Sequence, residues 1–160
     1  MIRTSNGARR LTGSALALAL VAFGFSQAEV RAGAAPSGYG TACQSCHKAD
    51  GSGVPGVFPR ISGRLGSAAQ SAEGRKWLIA TVLFGQSGEI KVDGKPIRGA
   101  MPGFARLSDA QIAETLTWLS GGSGKPFTAA EVAAVRTQGG LNGAKVGQMR
   151  AKLAGAGAIK

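Results

Sequence analysis

Apolar residues recur at helical spacing in several stretches of this chain and lose all period in one. In "EGRKWLIATVLFG", Trp77, Leu78, Val82 and Leu83 fall at helical intervals, and Gly85 follows as a C-terminal cap. Two further helices are marked at their starts. Ser108 with Gln111 forms a capping box, and Leu107 with Ile112 supplies the hydrophobic staple around it. Ile112, Leu116 and Leu119 then share one face. Thr128 with Glu131, flanked by Phe127 and Val132, repeats box and staple for a helix over about 129–138. Val146, Met149 and Leu153 form a last stripe, which predicts a helix over about 144–154, and a short first helix spans about 37–47 with Tyr39 as its first large residue. Residues 48–70 are rich in Gly, Pro and Ser without periodicity, which predicts a long ordered loop with a function of its own. "EIKVDGKPIRG" reads as two short extended pieces about an Asp93-Gly94 hairpin turn.

The N-terminus is patterned differently. Arg3, Arg9 and Arg10 precede an Ala/Leu-rich run over 11–25, and Ser26 and Ala28 place small residues after it. That is the pattern of a secretory signal peptide cut after about Ala28. The alternative, an uncleaved membrane anchor, has a short apolar run against it, and the residues after Arg9-Arg10 fit a twin-arginine signal poorly. The expected organisation is a signal over 1–28, a small-residue linker over 29–36, one domain over 37–120 and a basic helical extension over 121–160. A chain of 160 residues with 44% hydrophobic content has room for one compact core.

Cutting the signal removes three arginines and no acid from a chain with 19 Lys and Arg and 8 Asp and Glu, leaving a net charge of +8. Much of the excess lies late, where 121–160 sets six basic residues against the single Glu131. Such a surface suits an acidic partner, an anionic lipid or a nucleic acid. Export and the absence of a basic patch interleaved with aromatics speak against nucleic acid.

The chemistry is concentrated in "TACQSCHKADGSGVPGVFPRISG", which holds both cysteines and the only histidine. C-x-x-C-H allows a redox dithiol, half of a zinc site, or covalent haem attachment. A zinc site lacks a fourth Cys or His and has no acidic residue at ligand spacing. A thioredoxin-like dithiol lacks the preceding strand. Haem uses all three residues: thiols on one helical turn reach the two vinyl groups of one porphyrin, and the adjacent imidazole of His47 reaches the iron. Gly51, Gly53 and Gly56 also match the G-x-G-x-x-G of dinucleotide sites. Without a strand before them or a helix start after them, they read instead as a backbone wrap close to a flat macrocycle.

"CQSCH", the following G-x-G-x-P-G-x-F-P-x-I-x-G and "GAMPGF" together resemble the haem loop and methionine loop of class I monohaem bacterial cytochromes c, a likeness spanning about 37–120. The resemblance implies one covalent haem c, with thioethers to Cys43 and Cys46, His47 as proximal ligand and Met101 as distal ligand. It also implies that the Pro59 carbonyl accepts the hydrogen bond of His47 Nδ1. Counting narrows the sixth ligand separately: no second His exists, Met1 leaves with the signal, and Met149 sits on an apolar stripe that suits a core. A lysine or an open position remains as the alternative.

The implied fold is all-α: a small helical domain around the haem, in which the first helix crosses the one at 108–120, with a C-terminal helical extension. Phe58, Ile61, Leu65, Trp77, Ile97, Phe104 and Leu107 are the candidate haem lining, about half of them expected to touch the ring. The implied function is one-electron transfer in the periplasm rather than catalysis, free or as a subunit of a dehydrogenase or oxidase system. Lys48, Arg60, Arg64, Lys95, Arg98 and Arg106 are candidates to steer an acidic redox partner. The competing class is a haem enzyme or gas-ligand sensor with a displaceable sixth ligand. For 121–160 three roles stand open: packed helices, which the box and staple at Thr128 favour, a docking arm, or a frayed tail.

Overall fold

The computed structural model describes Met1 and residues 33–159. Apart from Met1, the signal expected over 1–28 lies outside the described residues, as do positions 29–32 of the expected linker.

The first predicted helix is two, α1 (Ser37–Ala42) and α2 (Gln44–His47), meeting at Cys43. The chain bends there without leaving right-handed geometry. Cys43 N donates to Tyr39 O at 2.9 Å, and His47 N donates to Cys43 O at 2.9 Å. Lys48, at φ 65°, ends the turn, and the Tyr39 hydroxyl holds the reversal by donating to the Lys48 carbonyl at 2.6 Å. Within the 48–70 loop lies one short helix, α3 (Gly66–Ala69), whose four residues are too few to display a period.

The central element is α4 (Ala72–Phe84), capped by Ser71 Oγ, which accepts from Gly74 N at 3.0 Å. It buries Trp77, Leu78, Ile79, Ala80, Val82 and Leu83, so neighbours surround it on most sides. Next come β1 (Gln86–Val92) and β2 (Lys95–Met101), an antiparallel pair with Ile90 opposite Ile97 and Gln86 opposite Met101. Asp93 at φ 51° and Gly94 at φ 76° form the left-handed two-residue turn between them. This ribbon corrects the all-α expectation: the protein is largely helical with a two-stranded sheet, and the strands reach 86 and 101, beyond the 89–99 read from sequence. The turn chemistry matches the right-handed twist of the strands, and β1 packs against the last helix, so the ribbon does not stand alone.

The remaining helices are α5 (Asp109–Leu119), α6 (Ala129–Arg136) and α7 (Gly143–Gly155). Both capping boxes are closed in both directions: Ser108 N donates to Gln111 Oε1 at 3.0 Å and Thr128 N to Glu131 Oε2 at 2.9 Å, with the return bonds at 3.2 Å. Helix α1 packs on α5, while α4 touches α5, α6 and α7. One continuous core results, running from Tyr39 through Leu78, Ile112 and Leu116 to Val132 and Val146. Each such fully buried aliphatic side chain contributes about 1.5–3 kcal/mol of transfer free energy.

Two arginines bind the segment beyond 121 to the rest. Arg75 donates to Glu131 at 2.9 and 2.8 Å and to the carbonyls of Lys125 and Pro126 at 2.7 and 3.1 Å, with its guanidinium 3.9 Å from the Phe127 ring centroid. Arg136 reaches back to Asp109 at 2.8 Å and to the carbonyls of Ala105 and Leu107 at 2.6 and 2.8 Å. Among the described residues no helix is long and apolar enough to cross a membrane.

Candidate haem site

Cys43, Cys46 and His47 sit on the α1–α2 bend. Cys43 and His47 are buried, Cys46 is half-buried, and both thiols are free. His47 Nδ1 lies 2.9 Å from the Pro59 carbonyl oxygen. A carbonyl can only accept, so Nδ1 carries the proton and Nε2 keeps its lone pair. The loop that delivers Pro59 is stitched to the helix: Gly53 N donates to His47 O at 3.0 Å, and Ile61 and Ser62 N donate to Gly51 O at 2.9 and 3.1 Å. Burial lowers the His47 pKa, partly opposed by the Pro59 bond, and so favours the neutral imidazole that binds metals. Before any thioether forms, burial, with the neighbouring Cys46 second, pushes the Cys43 thiol up to about 11.

These residues open onto a cavity of about 350 Å³, within the ~300–1,000 Å³ common for small-molecule sites. Cys43, Cys46, His47 and Met101 all line it. Of the seven candidate lining residues, Phe58, Ile61, Leu65, Trp77, Ile97 and Phe104 do so. Leu107 does not: it is buried in the core beside α5, with its carbonyl taken by Arg136. Met149 packs against the core outside the cavity, and among the described residues no lysine lines it.

Sequence reasoning missed part of the wall. Gln86, Gly88, Ile90 and Val92 line the cavity from one face of β1, an alternation of period two that was present in the sequence. Gln86 Oε1 also accepts from Trp77 Nε1 at 2.7 Å, which fixes the indole against the cavity. Arg150 and Ile159, from the far end of the chain, complete the lining, and no local pattern announces them. Gly51, Gly53 and Gly56 all have positive φ, but no strand precedes them among the described residues and no helix begins between Gly56 and Gly66. A pyrophosphate would find no helix N-terminus there. The candidate steering charges divide: Arg60 and Arg64 pair with Asp93 at 3.0 and 2.6 Å and Arg98 with Glu89 at 2.5 Å, whereas Lys48, Lys95 and Arg106 form no ion pair among the described residues.

Among the described residues no three His, Cys, Asp or Glu side chains gather to hold a bare metal ion. What the cavity offers instead is soft sulfur, one neutral imidazole and largely apolar walls with, among the described residues, no carboxylate side chain, which fits a haem and makes this a haem-binding helical protein. The family model for cytochrome c matches residues 34–123. Two cytochromes c-552 of Thermus thermophilus are each 36% identical to the chain over 104 residues, covering 60% of it and 79% and 70% of the relatives. The chain therefore belongs to the cytochrome c family, in its monohaem class I, and is an electron-carrier cytochrome whose cofactor is covalent haem c.

Proposed function

We propose that this protein is an exported, periplasmic one-electron carrier whose haem is anchored by Cys43 and Cys46 and ligated by His47 and Met101. It works free or as the electron-transfer subunit of a dehydrogenase or oxidase system. The observation that carries the reading is that Met101, at the end of β2, and the Cys43–His47 bend line one cavity, while the rival Met149 lies outside it. The haem supplies the Fe(III)/Fe(II) couple. With the haem in place, His47, oriented by Pro59, and Met101, held where β2 ends, would ligate the iron from the protein, leaving no open position for a substrate and little in the protein to rearrange. A thioether ligand in place of a nitrogen ligand favours a comparatively high reduction potential.

The partner meets the protein where Cys46 reaches the surface, beside the exposed Val57 and Phe58. Lys48, Lys95 and Arg106, which form no ion pair among the described residues, favour an acidic docking surface.

A reduced-minus-oxidised spectrum combined with haem extraction in acidified solvent tests this. The expected result is haem that stays with the chain, and reduced protein that does not bind carbon monoxide at neutral pH. Freely extracted haem overturns the attachment, and carbon monoxide binding overturns the carrier in favour of a ligand sensor or haem enzyme.

A further inference from the structure

The cavity wall has a charge pattern that the axial ligands and thioethers do not use. Four arginines line it, Arg60, Arg64, Arg98 and Arg150, and among the described residues no aspartate or glutamate does. Asp93 and Glu89 serve the first three from outside the lining. Arg150 differs. It comes from α7, beyond the 34–123 match to the family, and is half-buried. Among the described residues it has no carboxylate within ion-pair distance. Its one hydrogen bond goes to the Lys91 carbonyl at 3.3 Å.

Burial and the positive charge of Arg64 both depress the Arg150 pKa, so the side chain stands where a cation is disfavoured. Half-burying one guanidinium against another costs free energy unless an anion joins them. A haem brings two such anions, its propionates, and an apolar cavity must place them where cations or water can meet them.

We propose that Arg150 is the receptor for a haem propionate, so that the C-terminal extension supplies a counter-ion to the cofactor and holds its reduction potential up. The inference rests on the covalent haem of the proposed function. A propionate left unpaired would place negative charge near the iron and favour Fe(III); the planar fork of Arg150 would offset that charge, as a lysine would only in part. α7 is carried to this position by its packing on β1 and α4, so the tail beyond 121 is a working part of the haem environment.

The test uses the full-length holoprotein with Arg150→Met and Arg150→Lys. First, acid extraction checks that haem remains covalent; free haem would sink the underlying reading and not this inference alone. The midpoint potential and the propionate bending band in the resonance Raman spectrum are then measured. Arg150→Met is expected to lower the potential and move the band to the position of a water-exposed propionate, with Arg150→Lys keeping most of the potential but not the band. A wild-type band and potential in Arg150→Met, with unchanged far-ultraviolet circular dichroism, overturns the proposal. If Arg150→Met does not accumulate, Arg150→Gln decides by the same readouts, an unmoved band again overturning it.

Discussion

The His47 imidazole and the Pro59 carbonyl meet at 2.9 Å across twelve residues of loop, and the backbone of Gly53 runs directly against that carbonyl. A β-carbon at Gly53 would lie 2.6 Å from the Pro59 oxygen and 2.5 Å from the Phe58 oxygen, at a φ of +68°. Gly53→Ala therefore displaces the acceptor that orients His47 and strains the backbone, at a cost of about 1–3 kcal/mol. Gly56 is the control: φ is +80° but nothing lies within 4 Å, so Gly56→Ala bears only the left-handed term of about 1–2 kcal/mol. Guanidinium denaturation of both holoproteins compares them, and equal losses would remove close approach as the reason for glycine at 53.

Met101→Ala is expected to abolish the sulfur-to-iron absorption of the oxidised protein and lower its midpoint potential. Met149→Leu should leave both unchanged, because Met149 packs outside the cavity. Optical redox titration reads both variants. The reverse pattern would transfer the axial role to Met149.

The Arg75 bond holds the Glu131 carboxyl below the ordinary value near 4.5, with burial working against it and Thr128 adding to it. A depressed folded pKa means that the unfolded chain binds the proton more tightly, so this stabilisation is full above about pH 5 and is lost as pH falls through the folded value. Glu131 is 39% exposed, so solvent screens the pair and the acid-labile part is about 1 kcal/mol or less. Arg75→Met also loses the hydrogen bonds to carbonyls, and about 2 kcal/mol of stability at pH 7 is the expected deficit. Thermal unfolding between about pH 7 and 3 should show a shallower acid loss in the variant than in the parent. Parallel curves would detach Glu131 from that acid sensitivity.

Gly147 on α7 lies so close to the Ser87 carbonyl of β1 that any β-carbon there collides with it. Gly147→Ala should push α7 off the ribbon and cost about 1–3 kcal/mol. Gly155→Ala, with open space around it, should be neutral or stabilising by up to about 1 kcal/mol. The two melting temperatures decide this, and equal shifts would exclude the α7–β1 contact as the constraint.

If unpaired cations steer the partner, reduction by an acidic redox protein slows as ionic strength rises. Lys48→Glu with Lys95→Glu should flatten that dependence. Stopped-flow rates across a salt series read the effect, and a salt-independent rate in the parent would dismiss steering.

Legibility in the sequence followed how local each cause is. The capping boxes at Ser108 and Thr128 lie within four consecutive residues, and both helices start where those residues say. The Asp93-Gly94 turn was equally local, but the strands it joins run further than 89–99, because Ser87 and Gly88 are weak strand formers held by pairing and by α7. Cys43, Cys46 and His47 could be read together because one turn of helix carries them. Met101 needed the family resemblance as well as a count of methionines. Leu107 lies away from the cavity, and a general reason hides this in the sequence: an apolar residue at a staple position carries no mark of which wall of the core it faces. Arg150 was invisible, since its place at the cavity depends on a helix from the far end of the chain folding back over β1.

The family match ends at residue 123, yet Arg75, inside it, takes its partners from Lys125, Pro126 and Glu131, outside it. A chain cut at that boundary would keep the guanidinium and its bond to the Ala69 carbonyl but lose Glu131, two further carbonyls and the Phe127 ring, uncovering a side chain that is only 13% exposed in the full chain. The border at which the family match ends is thus not a border at which the packing of this protein divides.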